Sequence, residues 1–100
     1  MVDHDDGLFK DAILLLFRKR KTGFLTTETI LKEIHFQKAV NPKEDRERLD
    51  AILSRMRDQE LVLTNQPKFV ALTPAGKMEA DGLPEERIAE VEKELRERTG

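Results

Sequence analysis

The sequence has no cysteine, no tryptophan and no tyrosine, and its five aromatic residues are all phenylalanine. Without cysteine there can be no disulfide, no thiolate nucleophile and no cysteine-containing zinc site. Long hydrophobic runs are also missing. The longest, Ala12 to Phe17, falls far short of the ~20 apolar residues that span a bilayer. The opening MVDHDDG is acidic and lacks the basic-then-apolar order of a signal peptide. There is no glycine-rich phosphate loop, and no serine sits in a pattern with a base and an orienting acid. His4 and His35 lie too far apart, without supporting ligands, to suggest a metal. The expectation is a soluble, cytoplasmic protein that is not an enzyme and uses no cofactor or metal.

What is present is charge. Of the 100 residues, 38% are charged and 38% hydrophobic, enough apolar material for one small domain. The formal net charge of −2 conceals a strong asymmetry. Residues 1 to 9 carry three acids and no base, and residues 78 to 100 carry eight acids and four bases. The stretch from Lys10 to Lys77 holds fourteen bases and nine acids. Acidic ends therefore flank a basic middle, and it is the local field that meets a partner.

Apolar residues from Leu8 to Phe17 recur at helical spacing, predicting a mostly buried helix over residues 7 to 20. It ends in RKRK, cations that suit the negative end of the helix dipole, with Gly23 as the stop. Phe24-Leu25 is long enough for no more than one strand bridge. Thr26 or Thr27 caps a second helix with Ile30, Leu31 and Ile34 on its buried face. Residues 35 to 40 connect it to a third, opened by Asn41, Pro42 and Glu44 in a capping-box arrangement. Leu49, Ile52, Leu53 and Met56 form the stripe of that helix, about 42 to 59. Short β-type runs then flank Thr64 to Lys68 as a hairpin turn, Thr73-Pro74 starts a short helix, and Pro84-Glu85-Glu86 opens a last one. The fold class is mainly α with a small β-hairpin.

The stretch RLDAILSRMRDQELV, a short hairpin, then FVALTPAGK resembles small prokaryotic regulators of the PadR and MarR type. The matching positions are Leu49, Leu53, Glu60-Leu61-Val62 and Leu72-Thr73-Pro74-Ala75-Gly76. The resemblance implies a winged helix: a three-helix core plus a two- or three-stranded wing, with an added C-terminal helix. On that reading residues 1–7 are an acidic disordered N-terminus, 8–80 the winged-helix domain and 81–100 a C-terminal helix that could dimerise.

It also implies duplex DNA as the partner and transcription regulation as the role, with the third helix in the major groove and hairpin 61–72 as wing. Opposite the core stripe lie Lys43, Glu47, Ala51, Ser54 and Asp58, with Arg48 and Arg55 on one flank and Arg46 and Arg57 on the other. The expected DNA contacts are Lys43, Arg46, Glu47, Arg48, Ser54, Arg55, Lys68, Thr27 and Lys32. Among them Glu47 could accept from a cytosine amino group. Ile88, Val91 and Leu95 on the last helix, with Leu83 before it, form a narrow apolar seam expected to pair two copies or to dock on the first helix. Acids and bases balance on the third helix, which suits a second expectation equally well: a protein-interaction module within a larger assembly, without DNA binding.

Overall fold

The apolar run Ala12 to Phe17 lies within a helix buried on most of its circumference. The computed structural model describes residues 4–34, 42–66 and 68–99. In chain order these form α1 (His4–Arg20), β1 (Phe24–Thr26), α2 (Thr27–Glu33) and α3 (Pro42–Asp58). They continue as β2 (Val62–Gln66), β3 (Phe69–Leu72), α4 (Pro74–Asp81) and α5 (Glu85–Thr99). Phe9, Ile13, Leu14 and Phe17 of α1 are fully buried, and α3, α4 and α5 all pack against this helix. Leu14 is buried along with the rest because neighbours surround α1 on several sides. The expected cap Asn41 and the connection 35 to 40, with His35, lie outside the described residues.

The predicted disordered tail is shorter than expected. α1 begins at His4, so residues 4–7 are helical, because the turn preceding buried Leu8 and Phe9 is ordered by the docking of that pair. Gly23 is not the stop. Lys21 takes the left-handed conformation (φ 51°), and Lys21 and Thr22 donate their N–H groups back to the Arg18 and Phe17 carbonyls. Gly23 instead accepts the Leu72 N–H through its carbonyl at 2.7 Å, which ties the start of β1 to the end of β3.

The sheet is antiparallel with order β1-β3-β2, so the segment at Phe24-Leu25 is a full edge strand. Its inner face buries Leu25, Val62 and Val70. Thr26 closes β1 and also caps α2, its hydroxyl accepting from the Thr29 N–H at 3.1 Å. α3 ends like α1. Glu60 has φ 62°, and the N–H groups of Glu60 and Leu61 return to the Arg57 and Met56 carbonyls. A residue with a Cβ is strained in that conformation by about 1–2 kcal/mol. Glu60→Gly should therefore stabilise the fold by about 0.5–1 kcal/mol, after the greater freedom of unfolded glycine is subtracted. Urea denaturation would show the midpoint rising, and a fall would contradict the strain.

Thr73 joins the end of α3 to the start of α4. Its hydroxyl donates to the Glu60 carbonyl and accepts from the Gly76 N–H at 3.0 Å, while its own N–H bonds the Leu61 carbonyl at 3.0 Å. Gly76 is buried directly on that Leu61 carbonyl, where a Cβ would collide with the oxygen and with Leu72. The Leu72-Thr73 and Gly76 positions of the sequence resemblance thus have a packing reason of their own.

α5 closes the other side of α1. Val91 is 1% exposed, and Leu83, Ile88 and Leu95 pack on the same core. Arg87 Nε donates to Asp11 Oδ2 at 2.6 Å, and Lys19 pairs with Glu92. The hydrogen bond to Asp11 raises the Arg87 pKa, and the one from Lys19 lowers that of Glu92. The Glu92 contribution is therefore present above the ordinary carboxylate range and fades as pH falls through its lowered value. Among the described residues no helix is long and apolar enough to cross a membrane.

Candidate nucleic-acid interface

The side chains of α3 divide as its periodicity requires. Leu49, Ile52, Leu53 and Met56 are buried. Lys43, Glu47, Ala51, Ser54 and Asp58 form an exposed ridge along the opposite side. The ridge centre is small at Ala51 and Ser54, so another surface can approach the helix backbone there. Arg46, Arg55 and Arg57 are exposed on the flanks. Arg57 reaches across to Thr64 Oγ1 of β2 at 3.4 Å, linking the helix to the hairpin. Between them runs a cleft of about 200 Å³, with Asp50, Ser54 and Arg57 on one wall and Thr64 and Phe69 on the other. Lys68 is exposed at the hairpin turn, and Lys32 is exposed on α2.

Two expected contacts sit elsewhere. Arg48 is half-buried against α1, its guanidinium carbon 5.2 Å from the Phe9 ring centroid, a cation–π arrangement. It lies on the flank facing α1, where the stem also covers apolar surface. Thr27 is buried rather than presented to solvent, at 5% exposure. Its N–H donates to the Lys68 carbonyl at 3.0 Å, and its hydroxyl has no hydrogen-bond partner among the described residues. The alternation of strand and helix at Thr26-Thr27 decides this: Thr26 takes the cap, so the next side chain turns inward.

The remaining expected residues are exposed, but the charge of α3 does not build a strong field. α3 contains five bases (Lys43, Arg46, Arg48, Arg55, Arg57) and five acids (Glu44, Asp45, Glu47, Asp50, Asp58). Among the described residues, Lys32 and Lys68 add positive charge to this surface. In the apolar seam Val91 is buried, and Leu83, Ile88 and Leu95 pack half-buried against the chain's own core.

One feature of this surface was not legible in the sequence. The outer face of the sheet exposes Phe24 (60%), Leu63 (49%) and Phe69 (43%). Phe24, Ala71 and Leu63 are aligned across the three strands, and Phe69 is two residues from Ala71 on the same face. The rings of Phe24 and Phe69 meet edge to face with centroids 6.5 Å apart. The runs FL and FVAL are apolar throughout, so no alternation marked which members would stay outside. Among the described residues no group of three or more His, Asp or Glu side chains is placed to hold a metal ion. Comparison with family models, with curated proteins and with solved structures finds no match to this chain.

Proposed function

We propose that this protein is a winged helix that binds duplex DNA through α3 and acts as a transcriptional regulator, with the β2–β3 hairpin as its wing. The observation that carries the reading is the unbroken exposed ridge of α3 beside a hairpin whose turn carries Lys68. From Lys43 to Asp58 that ridge is about 22 Å long at 1.5 Å per residue, suited to a major groove. Element order and the β1-β3-β2 sheet agree with a winged helix carrying an extra C-terminal helix. Lys43, Arg46, Lys32 and Lys68 would meet phosphates, with Arg55 at the far rim, while Glu47 and Ser54 face base edges. Arg48 and Thr27 take no part, and α5, whose Val91 is already buried, packs on its own domain.

Anisotropy of a labelled random duplex tests this. Five phosphate contacts, Arg55 included, predict an affinity that falls with salt at a log–log slope of about −4.5. Lys43→Glu with Arg46→Glu should remove most binding, whereas Thr27→Val, altering only a buried hydroxyl, should leave it unchanged. Absence of binding at roughly 50 μM protein in low salt, where even non-specific complexes form, would sink the reading.

The exposed Phe24, Leu63 and Phe69 favour a second reading, a protein-interaction module docking through the sheet face. Phe24→Ser with Phe69→Ser separates the two: a DNA binder using α3 keeps its duplex affinity, and an interaction module loses its partner.

A further inference from the structure

A groove of about 530 Å³ opens at the end of the sheet away from the hairpin turn, between the C-terminus of α1, the start of β1 and α4. Its floor is apolar, formed by Leu72 and Pro74 over the buried Phe17 and Ala80, and its size falls in the range of small-molecule sites. Three cations border it, Arg18, Lys21 and Lys77, against one acid, Asp81.

The fold anchors one cation by its side chain and the other two by their backbones. Arg18 spans the groove and donates from Nη1 to the Ala80 carbonyl at 3.4 Å, which leaves its other guanidinium N–H groups for a ligand. Lys21 is fixed by the left-handed turn that ends α1, and Lys77 stands on the first turns of α4. Among the described residues neither lysine forms an ion pair. An apolar floor under a rim with net charge +2 (three cations less Asp81) is complementary to a molecule that is apolar at one end and anionic at the other.

We infer that this groove binds a soluble organic carboxylate with an apolar body, its chain on Leu72 and Pro74 and its carboxylate among Arg18, Lys21 and Lys77. A guanidinium and two ammonium groups suit a carboxylate, and an uncharged analogue would lose those charge-assisted bonds while keeping the floor. The site lies apart from the ridge of α3 and does not depend on DNA binding.

Amide chemical-shift titration of the full chain with monomeric octanoate, 1-octanol and octylammonium tests the inference. Octanoate should shift the amides of residues 21–23 and 73–81 saturably, at least tenfold more tightly than octanol, and octylammonium should not bind. Gly23→Leu should block octanoate, since the space at that Cβ is open and the backbone needs no left-handed angle. Lys21→Gln with Lys77→Gln should bring octanoate down to the affinity of octanol and leave the unliganded spectrum otherwise folded. Equal affinity for octanoate and octanol overturns the proposal. So do shifts located elsewhere, or association with phosphatidylglycerol vesicles in the absence of any octanoate effect.

Discussion

Gly76→Ala should destabilise the protein by about 3 kcal/mol or more, a large share of the roughly 5–15 kcal/mol that holds an ordinary domain folded. The added methyl would run into the Leu61 carbonyl oxygen and the Leu72 side chain. A flexible side chain could yield, but the carbonyl cannot, since it already accepts the Thr73 N–H at 3.0 Å. Relief would require α4 to move away from the start of β2, breaking the Thr73 clamp on Glu60. The intrinsic preference of helices for alanine over glycine, about 1 kcal/mol, acts in the opposite direction and is outweighed. Urea unfolding followed by circular dichroism measures the difference. A variant as stable as the parent would mean that α4 is not seated on this carbonyl.

Val91→Asp should unfold the protein or release α5 from it. A carboxylate at a position 1% exposed must either lose its hydration or take on a proton, and both cost several kcal/mol. Val91→Ala gives a graded companion, with about 1–3 kcal/mol expected from a small cavity. The readouts distinguish the two possible roles of this seam. If α5 serves its own domain, Val91→Ala lowers the unfolding midpoint independently of protein concentration. If the seam instead joins two copies, the midpoint depends on concentration and sedimentation shows a dimer that the variant loses. The Arg87–Asp11 and Lys19–Glu92 pairs across α1 and α5 favour the first outcome.

The long elements were legible because each has a clear period and chemical punctuation. α3 was readable from Leu49, Ile52, Leu53 and Met56, and its exposed ridge followed from the same 100° steps. α4 was readable from Thr73-Pro74. What could not be read depends on contacts distant in the chain. Gly23 has the composition of a helix stop, yet Lys21 takes the left-handed turn because the strand that follows needs the Gly23 carbonyl for Leu72. Thr26 and Thr27 are equivalent as letters; only the pairing of β1 with β3 decides which one caps and which one is buried. Arg48 looks like a rim cation until the approach of α1 brings Phe9 beneath it. The groove beneath Arg18 and the bare phenylalanine face were hidden for the same reason, each being assembled from segments about 50 residues apart.

Thr26, the last residue of a strand and the cap of the next helix, has a dynamic consequence. α2 is seven residues long, well below the length at which a helix persists alone in water. Its first amide hangs from the Lys68 carbonyl, and its capping hydroxyl belongs to β1. The helix therefore exists only while the sheet is paired, and the two open and close together. A partner that grips the hairpin at Lys68 thereby holds the whole of α2, including Lys32, in fixed orientation without touching it.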